Sequence, residues 1–363
     1  MKLFCISLFS FLLTYAIIPV IISMAEKCNC VDVPGHRRFH VKSTPKWGGG
    51  AFLLGVLPAI LYCIPLNSVS VSYAVASVLL VGFGFLDDYR PLGWKAKFGG
   101  IAVASTIVIF GARTVITQIG SYGHIGLIEL GLLSIPFTYF CILGVSNAIN
   151  LFDGLNGLAA GASLLSFLFL GIAAIYSGNS TVALIAFSFV GVLAAFLPFN
   201  FPEARLFMGD SGSLFLGFSL AILSILLTQG PASSVSPMYP VLVLLVPIFD
   251  TLRRLVLRIL NRKNPFRADK GHIHHLLVRK GLSAPRTTSL LWIITALCGI
   301  AALALIAKSS LSIFIAVCYG TLLLSMLASM LAWRRRRRTD DKRQSMALVK
   351  RSRLISLFTK LWL

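Results

Sequence analysis

Apolar runs of about twenty residues alternate along the chain with short polar stretches that hold nearly all of its charge. The runs fall at 3–24, 48–66, 70–86, 98–117, 131–149, 158–176, 181–199, 212–229, 238–252, 287–306 and 309–332. A run of that length crosses the hydrocarbon layer as an α-helix, which satisfies its own backbone N–H and C=O groups where no water can. The pattern predicts an all-α fold, a polytopic membrane helix bundle of about eleven transmembrane helices. The first run is too long for the core of a signal peptide, and no small-x-small cleavage site followed by a soluble stretch appears, so it is expected to be the first span.

Composition agrees with this pattern. The 363 residues are 57% hydrophobic and only 12% charged, and the mean hydropathy is +0.86. These values exclude a soluble protein and a disordered one. The formal net charge of +21 invites a nucleic-acid reading, but its placement removes the basis for one. Of the 33 Lys and Arg residues, 30 lie in the segments 25–47, 87–98, 200–211, 253–286 and the tail from Arg334. Such asymmetry marks that side as cytoplasmic, which puts the N-terminus outside and the C-terminus inside. Residues 1–333 are then one membrane domain, with cytoplasmic segments at 25–47, 87–98, 147–157, 200–213 and 253–286. Residues 334–363 form a basic tail. It opens with five arginines, Arg334 to Arg338, as a topology signal, and ends in a mixed apolar and basic stretch expected to lie as an amphipathic helix in the interface. Five of the seven cysteines sit in apolar runs, and Cys28 and Cys30 form a lone C-x-C, so neither a disulfide framework nor a cysteine metal site is expected.

The acids sort with the bases. Eleven of the twelve, all but Glu129, fall on or near the same face. Positive-inside insertion explains the lysines and arginines there but not the carboxylates, so their company points to a site. Asp87 and Asp88 end a span side by side, an unfavourable pairing unless a cation or proton intervenes. Mg²⁺ takes hard oxygen ligands of this kind and shares them with substrate phosphates; Lys95 and Lys97 follow within reach of an anion. The stretch 147–161 holds Asn147, Asn150, Asp153, Gly154 and Asn156 between two apolar runs, and on a continued helix 147, 150 and 153 share a face. In 200–213, Asp210 stands between glycines just before a span, where free helix N–H groups favour anions, and Asn200 and Phe207 precede it. Residues 265–275 carry Arg267, Lys270, His272, His274 and His275. These can donate to phosphate oxygens, and no cysteine or further histidine completes a zinc site there. Lys42 belongs to a further basic patch at 32–50. No P-loop, G-x-S-x-G or dinucleotide fingerprint is present.

Four of these stretches, GFLDDYRPLGWKAKF, NAINLFDGLNGLAAG, RLFMGDSGS and PFRADKGHIHH, stand in order across residues 32–286, with a weaker fifth, HVKSTPKWGGG. In them the chain resembles the polyprenyl-phosphate N-acetylhexosamine-1-phosphate transferases. The HIHH form is more like the branch that uses UDP-N-acetylglucosamine or related sugars than the phospho-N-acetylmuramoyl-pentapeptide transferases. The resemblance implies a Mg²⁺- or Mn²⁺-dependent enzyme of the bacterial inner membrane, its site facing the cytoplasm. Its partners would be a UDP-N-acetylhexosamine, undecaprenyl phosphate and membrane lipid, with no nucleic acid; whether the chain forms a homodimer is left open. It also implies roles: Asp210 as metal ligand, Asp87 and Asp88 near the lipid phosphate, Asp153 with Asn150 and Gly154 at the nucleotide end, Phe207 stacked on uracil with Asn200 nearby. Lys97, His272, His274 and His275 would contact phosphates or sugar; Lys42, Lys95 and Arg267 are weaker candidates. The chain departs from the family pattern at Asn156, where Asp is common, and at Tyr89, Arg90 and Pro91, where some members place another acid. The competing reading from another class is a transporter or flippase for a phosphorylated lipid, although carriers tend to place polar sites at the bilayer midplane.

Overall fold

A computed structural model describes residues 1–32, 43–121, 126–229, 233–262 and 271–307. The expected span at 309–332, the basic tail, Lys42 and Arg267 lie outside the described residues. Helices dominate: α1 (Lys2–Lys27), α2 (Gly48–Cys63), α3 (Ser68–Tyr89), α4 (Trp94–Gly111), α5 (Ser134–Phe152), α6 (Leu158–Tyr176), α7 (Ser180–Asn200), α8 (Gly209–Thr228), α9 (Met238–Val243), α10 (Leu245–Leu260), α11 (Ile273–Arg279) and α12 (Ala284–Ala307). Two antiparallel two-stranded ribbons decorate them, β1 (Val31–Asp32) with β2 (Thr44–Pro45), and β3 (Gln118–Ser121) with β4 (Leu127–Glu129). Among the described residues seven helices are long and apolar enough to cross a membrane. The chain is an all-α, multi-pass membrane bundle.

The bundle is built around α8. Every side chain from Ser211 to Ile225 is buried, as expected of a helix that is apolar all round and has helices on all sides. Helices α2, α3, α5, α6 and α7 all pack against it. Several polar side chains inside the bundle find partners there. Ser146, Ser166 and Ser224 each donate back to the carbonyl four residues earlier, and the Tyr73 hydroxyl reaches Ser219 of α8 at 2.6 Å. The outward faces of α1 and α3 instead expose large apolar side chains, among them Phe4, Leu12, Val75 and Leu79, where lipid takes the place of a protein partner.

Three expected spans differ. The run at 48–66 is helical only from Gly48 to Cys63, a 16-residue helix that is not among the seven. The run at 98–117 is helical only to Gly111 and starts earlier, at Trp94. Beyond it Arg113 takes a positive φ of 51° and the chain runs on towards β3. The run at 238–252 is not one helix: α9 ends at Val243, and α10 begins at Leu245 and continues through Arg253, Arg254 and Arg258. Pro247 explains the break, because it has no N–H to return to the Val243 carbonyl one turn back. The expected polar loops are also largely helix ends. Residues 147–152 complete α5, 87–89 complete α3, and 209–213 open α8.

Candidate functional site

Three helix ends meet at the start of α8. Asp87 and Asp88 lie in the last turn of α3, and consecutive residues on a helix point about 100° apart, so the two carboxylates serve different partners. Asp87 turns to Lys97 in the first turn of α4, with Nζ 2.7 Å from Oδ2, while its Oδ1 accepts the Leu92 N–H at 2.6 Å. Asp88 turns to α8. Its Oδ1 accepts the Asp210 N–H at 2.7 Å, and its Oδ2 accepts the Ser211 hydroxyl at 2.7 Å and the Ser211 N–H at 3.2 Å. Asp88 therefore caps the N-terminus of a helix whose own preceding residue, Met208, provides no side-chain cap. The approach is close enough to require glycine. Gly209 has φ 69°, and a Cβ there would collide with the Asp88 carboxylate. One turn back on α3, Gly84 lies directly against Ser211.

Anchored in this way, α8 holds Asp210 at the centre of the site. The Lys97 ammonium bridges Asp210 and Asp87, and Asn150 donates from the last turn of α5 to Asp210 Oδ1 and, at 2.9 Å, to Ser213 Oγ. Asp87, Lys97, Asn150 and Asp210, brought from four helices, are thus joined through Asp210 and Lys97 in one cluster. A divalent cation would meet two carboxylates in this cluster, those of Asp87 and Asp210. Among the described residues no three of His, Cys, Asp or Glu gather as a ligand cage. Mg²⁺, however, characteristically uses one or two carboxylates and completes its shell with water and substrate phosphate. Asp87 Oδ2 is buried and meets the Lys97 ammonium, and it and Asp210 already converge on a positive charge, so the residues present fit such an ion.

Asp153 is not on the shared helical face. α5 ends at Phe152 and Asp153 sits just past it with ψ 58°, half-buried. Burial, then the charges of Asp210 and Asp88, push its carboxyl up to about 7. The turn that follows packs on the histidines. His274 lies against Gly154, and its ring meets Phe152 edge-on at 6.3 Å. His274 is fully buried and its Nδ1 has no hydrogen-bond partner; burial first, then His275, hold its basicity down to about 3, so it is a neutral imidazole. The His275 ring lies beside it, tilted by 50° with centroids 4.3 Å apart. His272 is buried too, with Nδ1 2.8 Å from Asp250.

The remaining candidates have other partners. Asn200 spends its side chain on backbone: its Oδ1 accepts the Gly157 N–H at 2.8 Å and its Nδ2 donates to the Leu206 carbonyl at 2.8 Å. Asn156 donates to the Pro202 carbonyl at 3.1 Å. Together they clamp the α5–α6 turn to the 201–206 loop. Phe207 is half-buried, its backbone tied to Pro45 and Gly48. Lys95 is exposed over the Trp94 ring. Asp250 was not singled out from the sequence, yet it is 2% exposed and paired. The signal was available: an acid at the edge of an apolar run demands a buried partner.

Beside the cluster lies a cavity of about 560 Å³ between α4, α5, α8, α9 and α10. Its walls follow α5 from Phe137 to Leu151, a length of about 21 Å at the helical rise. The lining is mostly apolar, with Asn147, Arg254 and His272 near the C-terminal end of α5.

Residues 70–228 match the family described as glycosyl transferase family 4. A Bacillus subtilis protein named as a probable undecaprenyl-phosphate N-acetylglucosaminyl 1-phosphate transferase is 36% identical over 310 residues, covering 84% of this chain and 86% of that protein. A Mycobacterium leprae decaprenyl-phosphate N-acetylglucosaminephosphotransferase is 32% identical over 80% of this chain and 81% of its own. An Escherichia coli K12 undecaprenyl-phosphate alpha-N-acetylglucosaminyl 1-phosphate transferase is 26% identical over 76% of each.

Proposed function

The chain belongs to glycosyl transferase family 4, in its polyprenyl-phosphate N-acetylglucosamine-1-phosphate transferase branch, and from that premise we propose that it moves N-acetylhexosamine-1-phosphate from a UDP-sugar to undecaprenyl phosphate, with release of UMP. The reaction takes place at the cytoplasmic face of the bacterial inner membrane and is the first membrane step of a cell-envelope glycan. The observation that carries this reading is the convergence of Asp87, Lys97, Asn150 and Asp210 from four helices beside a long apolar cavity. Phosphoryl transfer asks mainly for alignment and charge neutralisation, and a polyprenyl chain asks for an apolar wall.

In the reaction an oxygen of the lipid phosphate forms a bond to the β-phosphorus of the UDP-sugar, and the bond from that phosphorus to the bridging oxygen breaks as UMP leaves. Asp210 and Asp87 would hold Mg²⁺, which when bound neutralises the diphosphate and the departing UMP. Lys97 adds a positive charge between the same two carboxylates. The second pKa of a phosphate monoester is about 6, so near neutrality the nucleophile is already largely dianionic. Asp87 is therefore required for position more than for proton removal. Asn150 fixes the rotamer of Asp210, and Asp88 fixes the helix that bears it. The gathering of the acids at helix ends favours this reading over a transporter.

The test is purified protein with undecaprenyl phosphate, Mg²⁺ and a panel of UDP-sugars that includes UDP-N-acetylmuramoyl-pentapeptide, scored for UMP and lipid product. UMP release with UDP-N-acetylhexosamines, lost by at least a hundredfold in Asp210→Asn, is expected. Turnover of the muramoyl pentapeptide alone would move the chain to the other branch, and lipid movement without UMP would make it a carrier.

A further inference from the structure

Asp250 has no part in the mechanism above, yet it is among the most fully engaged carboxylates in the molecule. It lies in α10 and is 2% exposed. Its Oδ2 is 2.8 Å from His272 Nδ1, and its Oδ1 accepts the Ile273 N–H at 2.8 Å and faces Arg253 Nη2 at 3.4 Å. Arg253 in turn donates to the Gly271 carbonyl at 2.6 Å. The carboxylate and its arginine thus grip the backbone on both sides of His272. A carboxylate only accepts hydrogen bonds, so the 2.8 Å contact requires the proton on Nδ1. The other ring nitrogen, Nε2, is what remains of His272 for a ligand, and His272 lines the apolar cavity together with Asn147 and Arg254.

We propose that Asp250 is a positioning residue: it fixes the Nδ1–H tautomer and the ring orientation of His272, so that Nε2 meets a phosphate oxygen of the substrate whose apolar part occupies the cavity. The inference rests on the transferase reading given above. A lipid phosphate that arrives as the monoanion passes its one remaining proton to Nε2 and becomes the dianion that the transfer needs, and the Asp250 charge balances the imidazolium that results. His274 does not duplicate this role, because its buried Nδ1 has no hydrogen-bond partner among the described residues. Arg253 holds Asp250, and Arg254, packed against Gly271, lines the same cavity as His272.

The decisive substitution is Asp250→Asn, which keeps the shape and can still accept from the Ile273 N–H. Its amide must donate to His272 Nδ1, which forces the proton onto Nε2 and turns an acceptor into a donor. Three measurements on the full-length protein in lipid nanodiscs test the idea. First, histidine ¹⁵N spectra of the substrate-free protein, assigned with His272→Gln, should show His272 protonated at Nδ1, and at Nε2 in the Asp250→Asn protein. Second, kcat/KM for undecaprenyl phosphate should fall by about ten- to a hundredfold in Asp250→Asn, the range lost when a group that orients an imidazole is removed, while KM for the UDP-sugar stays within twofold. Third, in a His272→Gln background Asp250→Asn should cost no more than about twofold, since the two residues act as one unit. An equal loss in both backgrounds would make Asp250 a mere brace for α11 and overturn the proposal, as would an Nε2–H tautomer in the unmodified protein. If the unmodified protein releases no UMP from any UDP-sugar, the transferase reading falls, while the spectra still decide the tautomer.

Discussion

Two acids in this site differ in what surrounds them, and Asp153 shows the consequence most directly. Asp88 accepts three hydrogen bonds from the start of α8. Asp153, half-buried just past α5, accepts none among the described residues and feels the negative charges of Asp210 and Asp88. Its carboxyl is pushed up to about 7, by burial first. A carboxyl raised in this way binds a proton in the folded state that the unfolded chain gives up near pH 3.9. Its stabilising contribution is therefore complete below about pH 4 and lost as pH rises through 7. In metal-free, detergent-solubilised protein, Asp153→Asn should melt higher than the unmodified chain at pH 8 and equally at pH 4. The gain at pH 8 should be about 1–2 kcal/mol, once the shift is discounted for partial exposure. Turnover should fall at the same time, because stability withheld at a position is the mark of a working site. Equal melting at pH 8 would mean that Asp153 is not under this strain.

At the scale of elements, the geometry of the acidic cluster depends on how closely α5 and α8 approach. A Cβ on Gly217 would lie 2.6 Å from Ser146 Cα and 3.0 Å from the Val145 and Ser146 carbonyl oxygens. One turn along each helix from that crossing stand Asn150 and Ser213, which are bonded to each other, and Asn150 also holds Asp210. Gly217→Ala must push the helices apart by several tenths of an ångström. It should cost about 1–3 kcal/mol as an overpacked core position, and lower kcat with little change in KM for the UDP-sugar. A fall in KM-weighted binding alone, with kcat intact, would show that the crossing does not set the Asn150–Asp210 contact. The polar stretches that hold Asp87, Asn150 and Asp210 were legible in the sequence because charge inside apolar runs is costly and therefore conspicuous. Their partnerships were not. Asp88 meets its helix 122 residues away, and nothing in local spacing distinguishes a helix cap from a substrate contact. The run at 238–252 misled for a related reason: its hydropathy is that of a span, but Pro247 breaks it, and α10 continues with its basic residues as a separate helix.

At the scale of the whole molecule, the reading requires that the acidic cluster face the compartment that holds nucleotide sugars. The basic residues imply this orientation, and the fold allows a test with native cysteines. α2 starts against the first turn of α8, where its Gly48 and Gly49 amides donate to the Phe207 and Met208 carbonyls. It then runs away from the cluster for 16 residues to Cys63, which is exposed. α1 runs the opposite way and ends at Lys27, next to Cys28, also exposed. The following residue but one, Cys30, donates from Sγ to the Asp88 carbonyl at 3.5 Å, which ties this end of α1 to the cluster. Cys28 and Cys63 therefore mark opposite faces, about 24 Å apart along a 16-residue helix. In spheroplasts, a variant that keeps Cys63 alone should react with a membrane-impermeant maleimide. One that keeps Cys28 alone should react only after the membrane is opened. Asp87 and Asp210 share the Lys97 ammonium, so they cannot lie on different leaflets. The label thus reports the side of both, and a Cys28 that reacts from outside would put the carboxylates where no UDP-sugar can reach them.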